Sequence, residues 1–135
     1  MIGVLIIAHG TLGESLIHCA HHVLGNQPPS LIHLAVTLND KPEKLIPKAQ
    51  QLIVELNQGA GVLVLSDIYG ATPCNIACRL LQPGRVEGIA GVNLPMLVRV
   101  LSYRNEPLHV VVAKATEGGI AGVVHFTKEA CENHK

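Results

Sequence analysis

The chain opens with Met1-Ile-Gly-Val-Leu-Ile-Ile-Ala8, an unbroken apolar run that stops at His9. A second such run, Gly61-Val-Leu-Val-Leu65, is followed by Ser66 and Asp67. Strands this uniformly apolar are buried on both faces, which is typical of a parallel sheet covered by helices. Such sheets bind ligands and carry out chemistry at the carboxyl ends of their strands, so His9 and Asp67 occupy positions where a reactive site is expected.

The composition favours a small globular protein. At 135 residues with 48% hydrophobic content, the chain suits a single domain with a real core. Lysine plus arginine and aspartate plus glutamate number ten each, so no basic field is present to attract nucleic acid or an anionic membrane. The first apolar run is too short to span a membrane and lacks the charged flank of a signal peptide. We expect one cytoplasmic domain over residues 1–135 without a nucleic-acid partner.

The cysteines and a histidine cluster raise the question of a metal. The four cysteines lie inside or beside apolar segments and are interpreted as reduced packing residues: Cys19, Cys74, Cys78 and Cys131. Cys74 and Cys78 are four apart on a predicted helix, but two thiols make an incomplete site. Three further histidines fall on the helix face opposite the apolar stripe: His18, His21 and His22. A solvated face is therefore favoured, and we expect no metal.

Hydrophobic periodicity alternates between strand-like runs and helical spacing, which indicates a βαβ architecture. Apolar residues from Leu12 to Leu24 form one helical stripe that Gly25-Asn26 ends. The second strand is Leu31 to Val36. A second helix has an apolar face from Leu45 to Leu56, and two prolines, Pro42 and Pro47, leave its first turn open.

The second half of the chain continues the alternation less clearly. Thr72-Pro73 has the form of an N-cap followed by proline at the first helical position. Val86 to Val92 reads as a fourth strand, and Leu94-Pro95 opens another helix. His109 to Ala113 has strand composition, although its continuation suits a helix equally well. Ile120 to Phe126 is the better strand candidate.

Right-handed crossovers leave few layouts for this order of elements, and the flavodoxin-like order 2-1-3 puts the first and third strands side by side. His9 and Asp67 then share one crevice. A carboxylate beside an imidazole commonly accepts the Nδ1 hydrogen and leaves Nε2 as the nucleophile. The helix starting at Thr72 would aim N–H groups into this crevice, where Gly70 and Ala71 leave room for an anion.

The pattern predicts a phosphate site, and a purely structural role for each of its residues is the alternative. His9 would otherwise cap the sheet, Asp67 would be a turn residue, and Thr72 would only start a helix. The sequence contains neither a GxxxxGK[ST] loop nor a GxGxxG motif, so nucleotide kinases and dinucleotide enzymes lack their usual phosphate cradle. Histidine itself is then the candidate phosphoryl acceptor. Four exposed-looking arginines are assigned to the surface: Arg79, Arg85, Arg99 and Arg104.

The chain contains three ordered motifs: Ile6-Ile-Ala-His-Gly10, Ser66-Asp-Ile-Tyr-Gly-Ala-Thr-Pro-Cys-Asn75 and Gly91-Val-Asn-Leu-Pro-Met96. Together they closely resemble the mannose-type IIA components of the bacterial phosphoenolpyruvate-dependent sugar phosphotransferase system. The resemblance implies that His9 takes a phosphoryl group from the phosphocarrier HPr and passes it to a IIB component, while Asp67 orients the ring. It also implies a contact between the hydroxyl of Thr72 and the phosphoryl group. The predicted phosphate-binding residues are Gly10, Gly70, Ala71 and Thr72. Four more would lie along or at the mouth of the crevice: Tyr69, Asn93, Leu94 and Pro95.

The resemblance extends to the fold and the partners. It implies a doubly wound α/β sheet of order 2-1-3-4 with an antiparallel edge strand, Ile120 to Phe126, exchanged between the subunits of a homodimer. It favours a helix over Leu108 to Gly118. The IIB acceptor is expected as a separate polypeptide, with indirect association with membrane IIC and IID proteins and no cofactor. Two alternatives stay open: a standalone regulatory phosphoprotein, and phosphoryl supply to a dihydroxyacetone kinase.

Overall fold

Strands and helices alternate through the computed structural model, which describes residues 1–133; residues 134 and 135 of the predicted domain lie outside this range. Within residues 1–133 the elements are β1 (Gly3–His9), α1 (Leu12–Leu24), β2 (Leu31–Val36), α2 (Pro42–Leu56), β3 (Val62–Ser66), α3 (Thr72–Cys78), β4 (Val86–Ala90), α4 (Leu94–Tyr103), α5 (Leu108–Ala121) and α6 (Lys128–Glu132). No helix in this part of the chain has the length and apolar character needed to cross a membrane.

The four strands form one sheet of order β2-β1-β3-β4 in which every neighbouring pair is parallel. The predicted doubly wound order 2-1-3-4 is confirmed. β1 lies between β2 and β3, with His9 paired to Val36 on one side and Ile7 paired to Ser66 on the other. The carboxyl ends of these three strands therefore meet at one edge of the sheet, where ligands of such folds bind.

Side chains of β1 alternate between two cores, which explains why its sequence is apolar throughout. On one face Val4 and Ile6 pack with residues of α1, α4 and α5. On the other face Leu5 and Ile7 pack with residues of α2 and α3. Packing on both faces thus holds the first and third strands in place, and this fixes the positions of the residues that follow them.

The helices follow the predicted pattern, and two open points are decided. α2 begins at Pro42, where a missing N–H is harmless, and it accommodates Pro47 within the helix. Residues 109–113 are helical, as the resemblance implied, and the strand-like impression of this segment is wrong. Leu108, Val111 and Ala115 are buried at helical spacing, so packing of one helical face prevails over the β-propensity of the valines.

The predicted antiparallel edge strand is absent from the described chain. Ile120 lies in the last turn of α5, where the N–H of Gly122 bonds to the carbonyl of Gly118 at 3.0 Å, and residues 123–127 form neither strand nor helix. A strand needs another strand's backbone to pair with, and this segment meets none within the single chain. Exchange of the segment between subunits stays a prediction.

Arg104 is buried, which corrects its assignment to the surface. Its guanidinium donates to the carbonyl oxygens of Ile2 at 3.0 Å, Ser30 at 2.9 Å and Pro29. The end of α4 is thus fastened to the segments that precede β1 and β2. A buried arginine is tolerated only with such partners, and these lie more than 70 residues away in sequence, beyond the reach of any local pattern.

The cysteines are free thiols, but only one of the four packs in the core. Cys74 is buried, whereas Cys19, Cys78 and Cys131 are exposed. The interpretation of all four as packing residues is therefore wrong for three of them. Their apolar sequence neighbours indicated burial, yet all three are exposed.

Candidate active site

His9 and Asp67 are brought together by the pairing of β1 with β3. The ring Nδ1 of His9 lies 2.7 Å from Oδ2 of Asp67, and the backbone N–H of His9 donates to the same oxygen at 2.9 Å. The other carboxylate oxygen, Oδ1, accepts the N–H of Ile68 at 2.9 Å. Three hydrogen bonds therefore fix the carboxylate, and the carboxylate fixes the imidazole.

The two side chains differ in exposure: an attacking side chain must be accessible to its partner, whereas the side chain that orients it can be covered. The His9 side chain is 51% exposed, whereas that of Asp67 is 12% exposed. With Nδ1 engaged by the carboxylate, the ring donates its Nδ1 hydrogen and Nε2 carries the lone pair. The nitrogen that would react is thus the one without a protein partner among the described hydrogen bonds.

Asp67 remains ionised well into the acid range. Partial burial acts to raise the pKa of its carboxyl group, but hydrogen bonds from the N–H and ring of His9 and from the N–H of Ile68, with the charge of His9, outweigh it. The net effect is a pKa below the ordinary value of 3.8. An ionised Asp67 can accept the imidazole hydrogen and stabilise positive charge on the ring.

A cavity of about 650 Å³ lies beside His9 at this edge of the sheet. Its lining includes two of the predicted phosphate-binding residues, Gly10 and Thr72. The remaining lining residues come from the end of β2, the β2–α2 loop and the start of α2: Val36, Thr37, Leu38, Asn39, Asp40 and Pro42. The cavity therefore lies where the carboxyl ends of β1, β2 and β3 come together around His9.

The start of α3 departs by one residue from the prediction. The N-cap is Ala71, without a side-chain cap, and Thr72 is the first residue of the helix with Pro73 in the second position. The hydroxyl of Thr72 therefore has no capping bond to make and lies at the cavity. Gly70 takes a φ of +85°, which favours glycine and turns the chain from Asp67 into α3.

The other four predicted crevice residues are not among those that line the cavity at His9. Asn93 caps α4 by accepting the N–H of Met96 at 2.9 Å, and its amide donates to the carbonyl of Gly119 at 3.1 Å. Leu94 and Pro95 line a separate depression on α4. Tyr69 is exposed and borders a small cavity next to α3.

Sequence reasoning missed the β2–α2 loop and the N–H of Ile68. The strand order 2-1-3 already places the carboxyl end of β2 beside that of β1, so the loop after Val36 could have been included. The spacing Thr37-x-x-Asp40 was a further signal, because an aspartate three residues from a threonine often closes a tight turn. The Ile68 contact depends on loop geometry, which sequence does not specify.

The histidine cluster lies on the exposed face of α1, as predicted for His18, His21 and His22. In residues 1–133, no group of three or more histidine, cysteine, aspartate or glutamate side chains is arranged to hold a metal ion. Cys78 contacts Cys74 on α3, and partial desolvation of the thiol, followed by this contact, raises the pKa of Cys78.

The fold and the pair together define a flavodoxin-like α/β protein that presents a half-exposed histidine, hydrogen-bonded to a carboxylate, at the switch point of its sheet. A family model described as the PTS system fructose IIA component matches residues 3–115, and the chain belongs to this family of the sugar phosphotransferase system. Members of this family are phosphotransferase relay proteins, which supports a phosphocarrier role.

Relatives agree with this assignment. The PTS system mannose-specific EIIAB component of Escherichia coli is 35% identical over 125 residues, which cover 90% of this chain and 38% of that protein. The PTS system fructose-specific EIIA component of Bacillus subtilis is 33% identical over 105 residues, covering 77% of this chain and 71% of that protein. The chain thus spans well under half of the E. coli relative's length.

A solved structure shows the same fold. The phosphotransferase system component EIIA from Streptococcus agalactiae superimposes with a TM-score of 0.83 at 23% identity, covering 93% of this chain and 98% of that one. At this identity the likeness concerns the fold alone. It supports the doubly wound arrangement that places His9 and Asp67 at one edge.

Proposed function

We propose that the chain accepts a phosphoryl group from phospho-HPr on Nε2 of His9 and passes it to a separate IIB component. The IIB component then serves sugar uptake and phosphorylation through membrane IIC and IID proteins, and the relay operates in the cytoplasm. The observation that carries the proposal is the 2.7 Å contact between Nδ1 of His9 and Oδ2 of Asp67. This contact leaves Nε2 as the nucleophilic atom of a half-exposed ring.

The transfer is an in-line displacement at phosphorus. The lone pair of His9 Nε2 forms the new P–N bond while the P–N bond to the HPr histidine breaks, and that bonding pair returns to the donor ring. Positive charge develops on the imidazole of His9 as the bond forms. The ionised Asp67 stabilises this charge through Nδ1. In a second displacement a nucleophile of IIB forms a bond to phosphorus while the P–N bond to His9 breaks, and the bonding pair returns to Nε2 of His9.

The phosphoryl oxygens are proposed to lie against Gly10, Gly70, Ala71 and Thr72. Gly10 and Thr72 line the cavity beside His9, which supports their part in this role. The N–H groups of Ala71 and Thr72 precede the first helical hydrogen bonds of α3 and can donate to an anion. Thr72 can add a hydroxyl donor. Tyr69, which is 84% exposed, is proposed to face the docked protein.

The chain is further proposed to form a homodimer through its C-terminal segment. Four large apolar side chains lie exposed between the end of α5 and α6: Ile120, Val123, Val124 and Phe126. Such a concentration of exposed apolar surface is typical of a region that a partner covers. Sedimentation should give twice the chain mass, and Val124→Asp with Phe126→Asp should give the single-chain mass; a monomeric wild type would reject the dimer.

Intact-mass analysis tests the phosphocarrier proposal. Wild type, His9→Ala and His18→Ala are incubated with phosphoenolpyruvate, enzyme I and HPr. Wild type and His18→Ala should each gain one acid-labile phosphoryl group, and His9→Ala should gain none. His18→Ala is the matched control because it removes an exposed histidine of α1. No gain by wild type in the presence of active phospho-HPr would reject the proposal.

A further inference from the structure

Leu38 is a fully exposed leucine beside the proposed phosphoryl acceptor. It lies in the β2–α2 loop and lines the same cavity as His9 and Thr72. An exposed leucine needs no explanation in general, because folded proteins expose much apolar surface. The position of Leu38 does need an explanation, because polar residues are expected in a loop that borders a reactive histidine. A contact surface for another protein is also needed there.

The loop is built to hold this side chain outward. Oδ2 of Asp40 accepts the backbone N–H of Thr37 at 2.7 Å and its hydroxyl at 2.9 Å, and the N–H of Asp40 donates to the carbonyl of Thr37 at 3.2 Å. The two hydrogen bonds from Thr37 lower the pKa of the Asp40 carboxyl group, which keeps the acceptor ionised. Leu38 and Asn39 are therefore confined to a closed turn. A side chain presented by a rigid turn loses less entropy on binding than one on a free loop.

Apolar side chains from neighbouring loops extend the same surface. Leu12 follows β1, Leu38 follows β2, and Ile68 follows β3, and all three are exposed. Because β2, β1 and β3 are adjacent and parallel, their carboxyl ends bring these loops to one edge around His9. Exposed apolar side chains therefore follow all three strand ends at this edge of the sheet, and such side chains are typical of the central part of a protein interface.

The occupant follows from the chemistry at His9. In-line transfer between two histidines requires the attacking nitrogen and the phosphorus to approach to about 3–3.5 Å, so the donor protein must cover the surface around His9. A protein placed there also covers Leu38, which lines the same cavity. We propose that Leu38, held outward by the Thr37–Asp40 turn, is an apolar anchor that binds the phosphoryl donor HPr. This inference rests on the proposed function.

Steady-state phosphorylation by phospho-HPr tests the anchor with matched variants. Leu38→Ser should raise KM for phospho-HPr about tenfold with kcat little changed, because the substitution weakens the binding of phospho-HPr and does not affect the reaction at His9. Leu38→Met keeps an apolar side chain of similar size and should retain a KM within about twofold of wild type. Val54→Ser is the control, because Val54 is 75% exposed on α2 and does not line the cavity.

The possible outcomes distinguish this inference from the proposed function on which it rests. Wild type that takes no phosphoryl group from active HPr would overturn both. Wild type that reacts, with Leu38→Ser showing an unchanged KM, would overturn the anchor alone, even if transfer onward to a IIB protein became slower. An equal rise in KM for Leu38→Ser and Val54→Ser would also overturn it, because the effect would then not depend on position. Circular dichroism should show both serine variants folded, since each replaces an exposed side chain.

Discussion

A single oxygen of Asp67 accepts hydrogen bonds from both the backbone N–H and the ring Nδ1 of His9, at 2.9 and 2.7 Å. The carboxylate thereby fixes the position of the histidine backbone and the rotation of its side chain at the same time. The second oxygen is held by the N–H of Ile68, so the carboxylate itself cannot turn freely. Orientation of the His9 ring therefore follows from the β1–β3 pairing, which places Asp67 beside it, and from the N–H of Ile68 in the loop after β3.

Replacing Asp67 by asparagine should slow phosphorylation of His9 by about 100-fold. Asparagine is similar in size but neutral, and its amide can donate to Nδ1, which would place the ring hydrogen on Nε2 and block the attacking atom. Rapid-quench measurement with phospho-HPr gives the rate. A rate within twofold of wild type would show that the carboxylate does not orient the ring.

Stability should fall in acid as Asp67 takes up a proton. Its folded pKa is lowered below 3.8, so the folded state binds fewer protons than the unfolded state in that range. The stabilisation is fully present above the ordinary carboxyl pKa and is lost as pH falls through the lowered folded pKa. Urea unfolding of wild type and Asp67→Asn from pH 6 to about pH 3 measures the free energy of unfolding at each pH. The difference in this free energy between the two proteins should decrease as the pH falls. A constant difference would contradict the lowered pKa of Asp67.

Arg104→Leu should destabilise the protein by about 2–4 kcal/mol. The change leaves three carbonyl oxygens, those of Ile2, Pro29 and Ser30, without their guanidinium donor. Arg79→Leu is the control, since Arg79 is exposed, and it should change the free energy of unfolding by no more than about 0.5 kcal/mol. Equal effects of the two changes in urea unfolding would argue against a structural role for Arg104.

Gly118→Ala should destabilise the contact between α4 and α5 by about 1–3 kcal/mol. An added Cβ would lie 2.8 Å from Cβ of Arg99, an atom close to the α4 backbone that has little freedom to move. Thr116→Ala adds alanine at an exposed site on the same helix and should leave stability nearly unchanged. Thermal unfolding of both variants distinguishes steric conflict from helix propensity, which by itself favours alanine over glycine.

Much of the fold was predictable because the relevant signals are local. Runs buried on both faces mark parallel strands, and apolar spacing marks the helices between them. From these the order 2-1-3 and the approach of His9 to Asp67 followed through the handedness of crossovers. The N-cap of α3 was misplaced by one residue, because residue type favours Thr72 as the cap whereas the backbone enters the helix after Ala71.

The sequence by itself determined the succession of strands and helices and the residue types that follow each strand, since these depend on hydrophobic period and on chain order. Tertiary structure alone decided that Arg104 is buried and that Cys78 is exposed. Each of these outcomes depends on how segments distant in sequence pack against one another. Such packing is set by the shape of the whole core, and no local period carries that information.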